Sequence, residues 1–324
     1  MKFLILTTTD PYYNLAVEEY LFRTEREDVF MLWQNEPTVV IGKNQNAFVE
    51  VDMDYLRQNG IHLARRITGG GAVYHDLGNV NYSFIRDSRQ GIDFVSFTAP
   101  IIEALATLGI SAELSGRNDL LVEGRKISGN AQYSAGGRTL HHGTLLFDSD
   151  LSVLSAALRP DEEKLKSKAV KSARSRVTNL APLLSKSVTT GEFIAMIAAF
   201  VRQKYAPLEV APPTEEKIIH LRERNASTGW LLPERELLSG YTLTRKARYP
   251  FGTVEVMLCM HHDQITHLTV CGDFFGVSPV EELAAALIGA RLAEVSERLV
   301  PLEVDRYIHG MTAKQLSALI EGII

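Results

Sequence analysis

Residues 65–76 read Arg-Arg-Ile-Thr-Gly-Gly-Gly-Ala-Val-Tyr-His-Asp. Three consecutive glycines stand between two β-rich runs, His62–Arg66 and Ala72–His75. Glycines let backbone N–H groups approach a ligand without side-chain obstruction. Arg65 and Arg66, just before them, can pair with phosphate oxygens through two parallel hydrogen bonds. No Lys-Ser/Thr pair follows the glycines, so the stretch is not a P-loop, and it is not a G-x-G-x-x-G fingerprint. Taken alone, it also fits a plain turn between strands.

Outward from this stretch the chain reads as mixed α and β. Asp10 followed by Pro11 predicts a helix start, with the helix running to about Arg23. Short strands follow at Val29–Trp33, Thr38–Ile41 and Asn81–Ile85, then a helix at Phe94–Leu108. Leu120–Val122 and Lys126–Gly129 flank Glu123-Gly124-Arg125, a tight hairpin. Gly143–Phe147 reads as a strand and Leu151–Leu158 as a helix. Residues 161–180 carry Lys164, Lys166, Lys168, Lys171, Arg174 and Arg176 with little apolar periodicity, which predicts a long basic loop. Helices follow at Thr190–Tyr205 and Pro213–Asn225. A last section holds strands Tyr241–Arg248, Thr253–Met260 and Ile265–Val270, then helices Val280–Leu299 and Thr312–Ile320. The expected fold class is α+β: a large mixed-sheet domain over residues 1–245 and a small α+β accessory domain over 246–324.

Composition narrows the function. Hydrophobic residues are 45% and charged residues 23%, which supports a sizeable core and argues against disorder. A formal net charge of -5 gives no bulk attraction to nucleic acid or membrane, so any anion-binding region must be local. The apolar start of the chain is too short for a signal segment, and Phe193–Val201 is about half a membrane span. The expectation is a soluble, cytoplasmic protein that binds neither nucleic acid nor membrane. The only cysteines are Cys259 and Cys271. On paired strands with a turn near Asp263, Cys271 faces a residue near Val254, too far from Cys259 for a disulfide.

Four further clusters carry polar chemistry. Arg117-Asn118-Asp119 leads into the hairpin. In Lys126-Ile127-Ser128-Gly129-Asn130, strand alternation predicts Lys126, Ser128 and Asn130 on one face and Ile127 on the other. Such a lysine can hold charge developing on a carboxylate and a phosphate together; an exposed strand lysine is the plainer reading. His141 and His142 are adjacent on a strand, point to opposite faces and do not easily share a metal, so no structural metal is expected. Arg174-Ser175-Arg176-Val177-Thr178-Asn179 lies in the basic loop and also fits a solvated charge run. Together the clusters describe a glycine-lined pocket with cations drawn from distant places and no nucleophile, suited to phosphate-bearing ligands.

The order and spacing of these motifs resemble the lipoate–protein ligases across roughly residues 1–245. The resemblance rests on residues 65–79, 116–120, 126–131, 141–146 and 174–180, with Asn14–Glu19 in support. The C-terminal section looks like that family's accessory domain, with Gly272-Asp273-Phe274-Phe275-Gly276 its clearest stretch. The resemblance implies the fold of the biotin and lipoate ligases and a two-step reaction. Lipoate and ATP with Mg2+ form lipoyl-AMP, and a lysine of a lipoyl-carrier domain then takes the acyl group. It implies that Arg66, Gly71, Ala72, Val73, Tyr74, Asn79, Asp119, Lys126, Arg174, Arg176, Val177, Thr178 and Asn179 bind ATP or the adenylate. Gly69, Gly70, Gly71, Lys126 and His142 would line the lipoate site, and Lys126 would be catalytic. Implied carriers are dehydrogenase acyltransferase subunits and glycine-cleavage H protein. Thr68 and Asn130 depart from the family pattern, which more often has serine at each. The rivals are an ATP-independent octanoyl or lipoyl transferase and a non-catalytic lipoate or adenylate binder. The cysteine-dependent transferases need a thiol in the catalytic domain, and none precedes residue 259.

Overall fold

The computed structural model describes residues 1–88, 92–116, 118–158, 177–233 and 240–322. The chain divides into two units. One comprises Met1–Val40, Glu50–Arg65 and Val73–Leu231; the other comprises Ile41–Val49, Arg66–Ala72 and Leu232–Ile324.

The first unit is built on an eight-stranded mixed sheet. Its strands, in spatial order, are β11 (Leu208–Glu209), β1 (Lys2–Ile5), β2 (Val29–Trp33), β6 (Asn79–Asp87), β10 (Arg138–Leu146), β9 (Arg125–Ala135), β8 (Asp119–Val122) and β7 (Glu113–Ser115). β1 runs parallel to both neighbours, and the remaining pairs are antiparallel. A separate three-stranded sheet joins β4 (His62–Arg65), β3 (Thr38–Ile41) and β5 (Val73–His75).

Alternation gives the large sheet two unlike faces. Phe30, Leu32, Val80, Tyr82, Phe84 and Leu145 point to one face. There they pack against helix α4 (Phe94–Thr107) through Phe97, Ile101 and Leu105, and against α6 (Thr190–Tyr205) through Phe193, Ile197 and Val201. The Phe147 and Phe193 rings stack with centroids 4.4 Å apart. The other face carries Trp33, Asn81, Ser83, His142 and Thr144, all buried. Helix α1 (Pro11–Thr24) reaches this face through Glu18. It starts as the sequence predicts: the Asp10 carboxylate accepts from the Tyr12 and Tyr13 N–H groups, with Pro11 in the first turn. Between α1 and α4 lie two short helices, α2 (Ala47–Glu50) and α3 (Met53–Gln58); α5 (Leu151–Ala157) follows β10. After α6 come α7 (Glu215–Ala226) and α8 (Thr228–Leu231).

In the second unit a three-stranded antiparallel sheet, β12 (Leu243–Tyr249), β13 (Gly252–His261) and β14 (Gln264–Gly272), packs on helices. Val254, Val256, Leu258 and Val270 meet Leu283 and Leu287 of α9 (Val280–Leu287), Leu299 of α10 (Val295–Leu299), and Leu316 and Ile320 of α12 (Ala313–Glu321). A single turn, α11 (Val304–Tyr307), precedes α12. Glu255 pairs with Cys271 and Cys259 with His267, and neither cysteine is in a disulfide.

One expectation changes here. The helix expected over Val280–Leu299 is interrupted: α9 ends at Leu287, Gly289 adopts φ +77°, and Arg291 bridges Gln264 before helix resumes. A left-handed glycine is a common helix terminator. The basic loop expected over residues 161–180 lies outside the described residues as far as Arg176.

Phe193 is fully buried in the stacked pair with Phe147. Phe193→Ala is expected to cost about 3–5 kcal/mol by urea unfolding. A loss below about 1 kcal/mol would show that this contact does not anchor α6.

Candidate active site

The hairpin of β8 and β9 carries Lys126, and its register decides where that lysine points. Asp119 pairs with Gly129 and Leu120 with Ser128, but Leu121 pairs with Lys126, so the register shifts at Ile127. This is a β-bulge: two residues on one strand oppose one on the other, and alternation restarts beyond it. Ile127 and Ser128 are both fully buried, with Ile127 in the apolar core. Lys126 therefore does not share a face with Ser128 and Asn130, contrary to the expectation from simple alternation. It lies on the side of Gly129 and Asp119, with its Nζ 2.8 Å from Asp119 Oδ1 and both side chains about one-third exposed (33% and 36%). Gly129 N donates to Thr144 Oγ1 on β10 at 3.1 Å, so this side is continuous with the polar face of the sheet. Val177 forms a parallel bridge to Lys126, and Thr178 N donates to Lys126 O at 2.9 Å. Asn179 is bonded through its side-chain amide to Ser149.

On the core side of the hairpin, Asn130 ties several strands together. Its amide donates to Asn118 O and Ser128 Oγ; its carbonyl oxygen accepts from Tyr82 OH and from His141 Nε2 at 3.2 Å. Gln132 Nε2 donates to His141 Nδ1 at 2.9 Å, which fixes the neutral Nε2–H tautomer. Gly143 pairs with Asn130, and a Cβ there would strike the Asn130 carbonyl and the Tyr82 hydroxyl.

His142 points the opposite way from His141. Its Nδ1 lies 2.9 and 3.0 Å from the two carboxylate oxygens of Glu18. Ser83 Oγ donates to Glu18 Oε1 at 2.5 Å, and Trp33 Nε1 donates to Ser83 Oγ at 2.9 Å. A buried carboxylate needs such partners. The sequence reading missed Glu18, Trp33 and Ser83 as site groups. The available signal was a pair of glutamates, Glu18 and Glu19, inside the otherwise apolar run 15–22. Nearby, Asn79 Nδ2 donates to Asn81 Oδ1 at 2.9 Å, and the buried Asn79 Oδ1 has no partner among the described residues. Asn81 and Asn35 both approach His75 Nδ1. Tyr74, on β5, is buried, and this burial, with the nearby Asp76 charge, pushes its hydroxyl up to about 12.

The two arginines before the glycines have different jobs. Arg65 is 2% exposed; its Nε and Nη2 donate to the carbonyls of Trp230 and Leu231, and Trp230 Nε1 donates back to Arg65 O. This is a cap on the end of α8, not an open phosphate ligand. Arg66 belongs to the second unit. Its guanidinium donates to Thr68 Oγ1 (2.9 Å), Gly69 O (2.7 Å) and Gly71 O (2.7 Å), so it braces the glycine turn from inside. Gly70 takes φ +88° and its N–H donates to Phe274 O; a Cβ on Gly69 would strike that same carbonyl. Gly71, Ala72 and Val73 are partly exposed. Of the remaining candidates, Arg174 and Arg176 lie outside the described residues.

Residues 10–202 match the family described as the lipoyl protein ligase A/B catalytic domain, and residues 239–320 match the bacterial lipoate protein ligase C-terminus. The chain is 38% identical to lipoate-protein ligase LplJ of Bacillus subtilis, covering 96% of this chain and 97% of that one. The chain belongs to the lipoate–protein ligase family. It is also 36% identical to lipoate–protein ligase 1 of Staphylococcus aureus, covering 99% of this chain and 100% of that one. Among solved structures, P. falciparum LipL1 in complex with lipoate aligns with TM-score 0.78 at 20% identity, covering 99% of this chain and 100% of that one, a likeness of fold. A lipoate-protein ligase A bound with ATP aligns at 28% identity with TM-score 0.60, over 72% of this chain and 98% of its own. The bipartite lipoate protein ligase of Thermoplasma acidophilum, described with its E2 lipoyl domain, aligns at 30% identity with TM-score 0.60, over 72% of this chain and 95% of its own. Among the described residues no helix is long and apolar enough to cross a membrane.

Burial holds the His141 imidazole well below the usual histidine range of 6.5, so it is neutral in the fold. In the unfolded chain it takes a proton near that value. Below about pH 6.5 the unfolded state therefore binds the extra proton, and stability falls with acidification by up to about 1.4 kcal/mol per pH unit. Urea titrations from pH 7.5 to 5 should show a shallower slope for His141→Gln than for the parent chain. Equal slopes would mean that His141 takes up its proton in the folded state too.

Proposed function

We propose that the chain activates lipoate with ATP and transfers the lipoyl group to a lysine of a lipoyl-carrier domain. The observation that carries this reading is the full-length identity to lipoate–protein ligases, 38% and 36%. The ATP-bound relative at 28% identity supports ATP as a ligand, and the identity to named lipoate–protein ligases supports lipoate. In the first step a carboxylate oxygen attacks the α-phosphorus of ATP, and pyrophosphate leaves with Mg2+ as the nucleotide's counter-ion. In the second, the carrier amine attacks the acyl carbon, loses a proton, and AMP departs. Activation is needed because a free carboxylate is a poor acyl donor, whereas AMP is a good leaving group.

In this reading Lys126 bridges the acyl oxygen and the α-phosphate, stabilising charge that develops on both. Arg66, Gly71, Ala72, Val73, Tyr74, Asn79, Asp119, Arg174, Arg176, Val177, Thr178 and Asn179 serve ATP and the adenylate. Arg66 does so by shaping the glycine turn, given its bonds to the Gly69 and Gly71 carbonyls. Gly69, Gly70, Gly71 and His142 serve lipoate. His142 is suited to this because Glu18 fixes its ring on a buried polar face. Residues 1–245 are proposed as the catalytic section and 246–324 as the accessory section, in keeping with the order of the two family matches, the second of which begins at residue 239. The proposed carriers are dehydrogenase acyltransferase subunits and glycine-cleavage H protein; the E2 lipoyl domain studied with the T. acidophilum ligase supports the first. The proposed compartment is the cytoplasm, in keeping with two cysteines held as thiols.

Lipoate-dependent ATP–pyrophosphate exchange, followed by the mass of an added carrier domain, tests the reaction. The expected result is exchange in the absence of carrier and a lipoyl mass increment that requires ATP. Carrier modification without ATP would make the chain a transferase, and neither signal would make it a binder. Lys126→Ala is expected to abolish exchange and leave the unfolding midpoint within a few degrees; near-normal exchange would remove the role given to Lys126.

A further inference from the structure

A glycine in the interior of a strand weakens it and calls for a reason. Gly129 lies within β9 and is not among the glycines with positive φ. Its backbone would accept any residue, and a β-branched one would suit a strand better. No turn or ligand-binding cradle is built at this position, because its N–H is already given to Thr144 Oγ1. What occupies the space of a side chain is Lys126. A Cβ at Gly129 would lie 3.0 Å from Lys126 Nζ and 3.2 Å from its Cε, with Asp119 Oδ1 at 3.9 Å.

The bulge at Ile127 explains how this comes about. It turns Lys126 off the core side, where Ser128 and Asn130 are buried, and onto the side of Gly129. From there the lysine stem folds along its own strand until the ammonium meets Asp119, which pairs directly opposite Gly129. A straight ladder would point the ammonium at the Tyr82–Asn130–His141 network instead.

We propose that Gly129 is a positioning residue: its missing side chain is the channel through which Lys126 reaches Asp119, and the depth of that channel sets where the ammonium sits for adenylation. This inference rests on the reading of Lys126 as the group that bridges acyl oxygen and α-phosphate. A methyl group at Gly129 displaces the ammonium by a few tenths of an ångström and leaves the strand pairing intact. Displacing a charge aimed at a transition state lowers kcat, while substrate affinity, set elsewhere, changes little.

The test uses the full chain and three variants, Gly129→Ala, Lys126→Ala and the double substitution, in lipoate-dependent pyrophosphate exchange and in calorimetric binding of lipoyl-sulfamoyl-adenosine, a stable mimic of the adenylate. Gly129→Ala is expected to lower kcat about tenfold or more, with KM for lipoate and ATP within about twofold of the parent. It should also weaken the mimic in the presence of Lys126 and have no effect on its affinity once Lys126 is alanine, because the methyl acts only through the amine. If Gly129→Ala lowers the unfolding midpoint, Lys126→Ala should restore it for the same reason. A parent-like kcat, or an equal loss of affinity in both backgrounds, overturns the proposal. A parent chain inactive in exchange would instead overturn the reading of the reaction, so the two failures are distinct.

Discussion

The central strands of the large sheet, β2, β6 and β10, are buried on both sides, and only one side is mainly apolar. That constraint organises the first unit. The apolar side is filled mainly by phenylalanine and aliphatic side chains from the sheet, α4 and α6, around a polar island in which Asn130 accepts from Tyr82 and His141. The second side buries a carboxylate, a histidine, a serine and an indole N–H, each of which loses water on folding and must regain a partner. The Trp33–Ser83–Glu18–His142 chain supplies those partners in one continuous path from β2 through β6 and α1 to β10. Side chains held at both ends by buried bonds have few alternative rotamers, so this face presents fixed polar groups to whatever enters it.

The same economy governs the hairpin and the glycine turn. Asn130 spends both ends of its amide on neighbours, which locks β9 to Asn118, just before Asp119. The asparagine that departs from the usual serine is therefore the centre of a network that a serine, with one donor and a shorter reach, could not span. In the second unit Arg66 donates to the Thr68 hydroxyl and to the Gly69 and Gly71 carbonyls, Gly70 N–H donates to Phe274 O, and a Cβ on Gly69 would collide with that carbonyl. In both places residues of the proposed site or beside it are held by bonds to main-chain carbonyls of their own fold.

Much of this architecture could be read from the chain. The strands at Val29–Trp33 and Thr38–Ile41 and the helix at Thr190–Tyr205 fall where hydrophobic patterning puts them, and the clusters at 66, 126 and 142 stand out by composition. Three features could not be read. A β-bulge leaves no local mark, so alternation placed Lys126 on the wrong face; the shift lies in the pairing of Leu121 with Lys126. Arg65 and Arg66 are identical in type, and only the chain 165 residues away, at Trp230, shows that one of them is a helix cap. The helix break at Gly289 was masked by a continuous run of helix-forming residues on either side.

The second unit is assembled from three stretches of chain, 41–49, 66–72 and 232–324, of which two come from the N-terminal third. Gly272 N takes its acceptor from Asn44 and Gly70 N takes its own from Phe274. A gene fragment starting at residue 232 would thus encode an incomplete body, lacking backbone partners that only the early chain provides. During synthesis the Asn44 carbonyl and the Gly70 N–H leave the ribosome well before Gly272 and Phe274, and these two bonds form only when the last quarter of the polypeptide arrives.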